Sequence, residues 1–292
     1  SQNPTGAIFM SISMAGYVTN DAFVKIIGSE LGLAQTIFIR GLYCSIFIFV
    51  FFIFKNKNKI RECFNHLPII TARSTLELFA TIFFLIALMN MSFANVNAIL
   101  QTLPMIITIA ASIFLNESIG FKRAIAIILG FLGVLFIVKP GTNDFNNYSI
   151  LAIFAVLSVT FRDIITRKMP KHIPALFLSL VTSIMVTLTT GIYLIFFKIW
   201  VPIDYYILLI LGLAAIFLMI GYFFSVEAMR FGDVSFVSPF RYTLIIWALF
   251  ISYFFFKEKI DLLSLIGILL IFLSGLFVLY REAKLKINRK SQ

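Results

Sequence analysis

The stretch ANVNAILQTLPMIITIAASIFLNESIGFKRAIAIILGFLGVLFIVKP, residues 94–140, decides how this chain is read. It is an apolar span broken by Pro104, a short turn carrying Glu117, and a second apolar span punctuated by Gly130 and Gly133. The same plan returns in DVSFVSPFRYTLIIWALFISYFFFKEKIDLLSLIGILLIFLSGLFVLY, residues 233–280, with Pro239, Glu258, Gly267 and Gly275 in the corresponding places. Gly133 follows Glu117 by sixteen residues and Gly275 follows Glu258 by seventeen, so the two stretches align on their glutamates. A duplicated unit inside a very apolar chain points to a transporter.

Composition agrees. The chain is 61% hydrophobic and 13% charged, with a mean hydropathy of +1.02, whereas soluble domains are about 45–50% apolar. It reads as an integral membrane protein. A helix crosses the hydrocarbon core in about 20 residues, and the 292 residues divide into ten apolar spans: 6–27, 35–54, 73–92, 95–115, 121–139, 147–167, 174–197, 204–229, 234–256 and 261–280. The short alternating segments of a β-barrel are absent. Cys44 lies within a span and Cys63 in a basic loop, so their depths differ and both read as free thiols. No leader with a small-residue cleavage site precedes the first span, which reads as retained.

The net charge of +11 would draw a soluble protein toward nucleic acid, but here the basic residues lie at span ends, where they orient the chain. With the N-terminus inside, sixteen lysines and arginines fall in inner connections and the tail, five in outer connections, and Arg40, Arg162 and Arg241 inside spans. That bias places both termini in the cytoplasm and the protein in the cell inner (plasma) membrane as a multi-pass chain. Five spans per half is odd, so the halves insert in opposite directions. The expected fold is an all-α membrane protein of ten transmembrane helices in two inverted five-helix repeats, residues 1–141 and 142–292, the second ending in a basic cytoplasmic tail. The turn-rich linker Pro140–Asn147 joins them.

From Arg73 to Gly141 the sequence resembles the first repeat of the EamA branch of the drug/metabolite transporter superfamily. The resemblance rests on Pro104 thirteen residues before Glu117, followed by Gly130, Gly133 and Val134, and in the second repeat on Glu258, Gly267 and Gly275. The second repeat departs from the pattern thirteen residues before Glu258, where Ile245 stands, and its proline instead opens the run PFRYT, 239–243. That variant is similar to a subset of the family that includes S-adenosylmethionine importers. The resemblance implies a secondary transporter of a small polar or zwitterionic metabolite, S-adenosylmethionine-like or amino-acid-like, working by alternating access. The alternatives are an amino-acid or drug exporter of the same fold, or a membrane-embedded protein that does not transport.

An ionisable side chain at bilayer depth costs about 2.5–3.5 kcal/mol on insertion scales, so each asks for a partner or a wet cavity. On the first span Ser13, Tyr17 and Asp21 recur every four residues with Asn20 beside them, and on the fourth Asn97, Gln101, Pro104 and Thr108 repeat the pattern. Ser238, Arg241, Tyr242 and Ser252 gather near one face of the ninth span, where Pro239 frees backbone carbonyls. Arg73 and Glu77 at the inner end of the third span form either a structural pair or a lining pair. Asp163 and Arg167 have the spacing of an i,i+4 ion pair. Tyr17, Tyr222, Tyr242 and Trp247 have polar tips that need partners and faces that can hold a cation. The candidate substrate-binding residues are therefore Tyr17, Asn20, Asp21, Glu77, Asn97, Gln101, Arg162, Tyr222, Arg241, Tyr242 and Trp247, placed between the polar faces of helices 1, 3 and 4 and those of 6, 8 and 9. Glu227, Arg230, Asp163 and Arg40 are the gating or proton-coupling candidates; Arg40, near the outer end of its span, can snorkel to water. Glu117 and Glu258, at span ends, read as turn-fixing groups. Glycines at 130, 133, 267 and 275 allow close packing of the fifth and tenth helices, within one subunit or across a homodimer.

Enzyme signatures are missing from the sequence: it has no His-Glu-x-x-His, no Gly-x-Ser-x-Gly and no glycine-rich phosphate loop, and His66 and His172 lie in separate loops. No catalytic residue, metal or cofactor is expected. The expected partners are a small-molecule substrate and the lipid bilayer.

Overall fold

The computed structural model describes residues 3–56, 64–103, 105–106, 109–110, 113, 121–139, 146–170, 173–231 and 238–290. Among these every regular element is helical: α1 Asn3–Leu31, α2 Leu33–Asn56, α3 Leu67–Asn90, α4 Phe93–Leu100, α5 Phe121–Val138, α6 Tyr148–Lys168, α7 Ala175–Phe197, α8 Tyr205–Phe231, a 3-10 turn Ser238–Tyr242, α9 Thr243–Phe254 and α10 Leu262–Lys290. By length and composition, Leu33–Phe54, Leu67–Asn90, Tyr148–Thr166, Leu176–Phe197 and Tyr205–Phe224 can each cross a membrane, and Ala124–Val138, Phe240–Phe254 and Leu262–Val278 are shorter apolar helices. The bilayer demands this economy, since a helix satisfies its backbone internally.

Local chemistry sets the helix ends. Gly32, at φ +81°, makes the left-handed turn between α1 and α2. Proline stands in the first turn of α3, and the Ser92 hydroxyl accepts the Asn95 N–H at 3.4 Å to cap α4. Lys139, Lys198 and Lys257, just past α5, α7 and α9, take left-handed backbone at φ 51°. Each puts a cation by the negative end of a helix dipole, which accounts for three of the five lysines that the charge count leaves on the outer side.

α1 packs chiefly on α8, and α3 on α6; α2 packs on α7 and α5 on α10. Lesser pairings join α2 with α8, α3 with α7, α1 with α9, α4 with α6 and α4 with α9. Exchanging each helix for the one five places along the chain maps these pairings onto themselves, so the packing has an internal twofold pattern.

The contact between α5 and α10 is antiparallel and made by glycine. A Cβ on Gly133 would lie 2.6 Å from the Gly267 carbonyl oxygen, and one on Gly267 would lie 2.5 Å from that of Gly133. The close approach of these helices is thus an intrachain one. Aligning the repeats paired Gly133 with Gly275, but corresponding positions in a repeat need not touch. Gly275 instead makes room for the Tyr242 ring. Lys139 closes the end of the pair on Asp261 at 3.0 Å. Slight burial raises the Asp261 pKa, but hydrogen bonds from Ser264 and Lys139 outweigh it and hold the carboxyl at about 2. The seam between α1 and α8 uses the same device: Gly16 faces the Phe217 carbonyl, Gly221 faces the Tyr17 ring, and the Ser13 hydroxyl donates to the Gly221 carbonyl at 2.6 Å.

Candidate functional site

The structure breaks a helix in each half where the sequence places a proline. α4 stops at Leu100, and the Gln101 N–H falls back on the Asn97 and Ala98 carbonyls in a tightened turn. In the other half Ser238–Tyr242 is a 3-10 turn that hands over to α9. Interrupted helices of this kind expose backbone and polar side chains at depth. Asn97 and Gln101 lie at the break in one half, where α4 packs on α9, and Arg241 and Tyr242 lie in the 3-10 turn of the other, which packs on α1 and α10.

The charged residues gather in the center of the bundle. Arg162 of α6 binds Glu77 of α3 directly, and it donates from Nε and Nη2 to Oδ1 of its neighbor Asp163 at 2.9 and 2.7 Å. Arg73 lies 3.6 Å from Glu77 in the expected i,i+4 pair and donates to the Thr182 hydroxyl at 2.7 Å, which also meets Ser74 at 2.9 Å. Asp163 is held by Arg162, whose guanidinium Glu77 fixes from across the helix interface. The Arg167 side chain lies outside the described residues. Two cations and two anions leave this tetrad neutral.

Against the tetrad stands an aromatic pair. Tyr17 and Tyr222 meet edge to face with centroids 5.6 Å apart, and Tyr17 lies within electrostatic reach of Glu77, Arg162 and Arg241. Arg241, like Arg73, has its Nε buried without a hydrogen-bond partner among the described residues. The Oδ1 of Asn97 and the hydroxyl of Tyr242, both fully buried, are likewise unpartnered. Buried polar groups left open in this way carry a large desolvation cost unless something binds them.

Several expectations are corrected. Arg40 does not snorkel: it is 9% exposed and turns inward, its Nη1 donating to the Asn20 carbonyl oxygen at 3.4 Å. Asn20 in turn donates to Asp21 at 2.9 Å. Trp247 shares the exposed face of α9 with Ile246, Phe250, Tyr253 and Phe254, while the packed face carries Leu244, Ala248 and Ile251. The side chains of Glu227 and Arg230, together with Pro104, Thr108, Glu117 and Cys63, fall outside the described residues; Cys44 is a buried free thiol.

Two features escaped sequence reasoning. Hydroxyls of Thr81, Ser179, Thr182 and Ser183 line the cleft between α2, α3, α7 and α8, and Arg40, Glu77 and Tyr222 complete its wall. Its volume is about 60 Å³, room for a water or two and not for a metabolite. A larger trough of about 380 Å³, between α2 and α7, is walled by Phe38, Leu188, Ile192 and Ile195 and has none of the central charges. The second feature is at the Glu258 end. There Lys25 Nζ binds Glu258 at 2.9 Å and the Met91 carbonyl at 2.8 Å, over the rings of Phe93 and Phe256. Glu258 also accepts the Phe93 N–H at 2.7 Å and the Ser252 hydroxyl at 2.5 Å. One carboxylate thus ties α1, the start of α4 and the end of α9 together. The charge count assigns Lys25 to the first outer connection although it stands at the end of the span 6–27; the structure places it within α1, which runs on to Leu31, in line with the stripe Ser13, Tyr17, Asp21, Lys25.

Broken helices, an internal twofold packing pattern and a central set of charges define a small-molecule transporter of the membrane. The chain matches the EamA-like transporter family over residues 4–139 and again over residues 147–280. It belongs to that family and is a transporter, not an enzyme. It is 27% identical to the S-adenosylmethionine uptake transporter of Rickettsia felis over 99% of this chain and 96% of that protein, and 25% identical to that of Rickettsia prowazekii over 96% and 94%. A riboflavin transporter of Vibrio cholerae is 28% identical over 49% of this chain and 48% of its own. A solved crystal structure superposes with a TM-score of 0.68 over 96% of this chain and 98% of its own at 12% identity, a likeness of fold alone.

Proposed function

We propose that this protein is a secondary transporter of S-adenosylmethionine or a compound of the same chemistry, working by alternating access of two inverted repeats, residues 1–141 and 142–292. The observation that carries the reading is Arg241, with its open Nε, set across the Tyr17–Tyr222 pair from a neutral tetrad. S-adenosylmethionine carries a carboxylate and an ammonium at its amino-acid end and a sulfonium further along, and that order suits the layout: the carboxylate meets Arg241, and the sulfonium lies against the tyrosine faces and Glu77. Asn97 Oδ1 and the Tyr242 hydroxyl, buried and open among the described residues, are further candidate polar contacts. The names of the full-length Rickettsia relatives support the same substrate.

The test is thermal stability of the purified protein against a metabolite panel. S-adenosylmethionine at about 100 times its dissociation constant is expected to stabilise by about 2.7 kcal/mol, with riboflavin and simple amino acids without effect. Stabilisation by amino acids instead would sink this substrate.

The proposed orientation has ten crossings with both termini in the cytoplasm. In a chain lacking Cys44 and Cys63, Asn146→Cys is expected to react with an impermeant thiol reagent in intact cells, and Ile60→Cys or Pro170→Cys only after permeabilisation. The reverse labelling would overturn the orientation.

A further inference from the structure

Tyr17, Asp21 and Lys25 recur every four residues on α1, so they lie one above another on one face. Tyr17 belongs to the central site and Lys25 to the tie at the Glu258 end. Asp21, between them, has no role in either. Among the described residues its carboxylate accepts one hydrogen bond, from the neutral amide of Asn20, and the cation within its reach, Arg40, makes its hydrogen bond to the Oδ1 of that amide. Among the described side chains, the other charged groups and the tyrosine on the elements packed against α1 that bear on this face are committed elsewhere or turned to the central site. Glu77 of α3 is held by Arg73 and Arg162, Tyr222 of α8 and Arg241 of the 3-10 turn face Tyr17, and Glu258 beyond α9 holds Lys25.

We propose that Asp21 is a proton-binding site, and that its charge decides whether Lys25 stays on Glu258. The argument is one of competing anions. Side chains four apart on a helix have Cβ atoms about 5–6 Å from each other, and an acid N-terminal to a lysine is the favorable order. An ionised Asp21 therefore draws Lys25 down α1 and away from Glu258. A protonated Asp21 exerts no such pull, and Lys25 remains tied to Glu258 and to the Met91 carbonyl. Glu258 can release the lysine at low cost, because the Phe93 N–H and the Ser252 hydroxyl still satisfy it. One proton taken from water by the Asp21 carboxylate, and returned to water, thus closes and opens the Glu258 end. The proposal deepens the transporter reading by supplying its coupling ion, and it rests on that reading for its link to uptake.

The test uses the full chain in lipid nanodiscs with spin labels on cysteines replacing Ile26 of α1 and Tyr253 of α9, both exposed near this end. In the otherwise native protein the distance between labels is expected to shift to longer values from about pH 5 to about pH 8. Asp21→Asn should hold the short distance at both pH values, and Glu258→Gln the long distance at both. A pH-independent distance in the native sequence, or an Asp21→Asn protein that still responds to pH as the native one does, overturns the proposal. The measurement needs no substrate. If the distances behave as expected while S-adenosylmethionine is not bound, the substrate assignment fails and the proton site stands; binding without a pH response has the opposite meaning.

Discussion

Replacing Arg241 with alanine is expected to lower S-adenosylmethionine affinity about 10–150-fold and to abolish measurable uptake at ordinary substrate levels, with the protein still folded. A hydrogen bond to a charged group contributes about 1.5–3 kcal/mol, and each 1.4 kcal/mol is a factor of about ten. Arg241 is a good subject because its Nε has no partner to lose among the described residues, whereas removal of Arg162 takes a partner from both Glu77 and Asp163. Arg241→Lys should recover part of the loss, since lysine keeps the charge without the planar fork. A decarboxylated analog of the substrate should bind the native protein and Arg241→Ala equally. Native affinity in Arg241→Ala, measured by titration on purified protein, would give the residue a structural role only.

Gly133→Val is expected to destabilise the fold by about 3 kcal/mol, near the upper range for overpacking. The atom that meets the new side chain is the Gly267 carbonyl oxygen, 2.6 Å from the Cβ position. A backbone oxygen cannot rotate away, so α5 and α10 must separate. On the usual scaling for chains of this size, the midpoint of thermal unfolding falls by about 6–12 °C. Gly212→Ala in α8 is the matched control. Nothing lies within 4 Å of its Cβ position, and alanine is the better helix former by about 1 kcal/mol, so its midpoint should hold or rise. Equal behavior of the two variants would mean that the glycine contact does not set the distance between α5 and α10.

The sequence by itself determined the membrane class, the helical fold and the family, because these depend on quantities summed along the chain. Apolar run length decides whether a segment crosses a bilayer, and a proline breaks a helix wherever it stands inside one; the interruptions near Pro104 and at Pro239 were legible for that reason. The i,i+4 pair Arg73–Glu77 was legible too, since helical spacing alone brings the two side chains together. Only the tertiary structure decided which charges pair across helices. Arg162 could reach Asp163, or an acid on any neighboring helix, and the packing of α3 on α6 gave it Glu77. Trp247 carries the same ring on either side of α9, and the side that packs is fixed by the neighbors. Lys25 and Glu258 are 233 residues apart, and no local rule relates them. Their meeting depends on where α1 and α9 end in space, a property of the bundle and not of either segment.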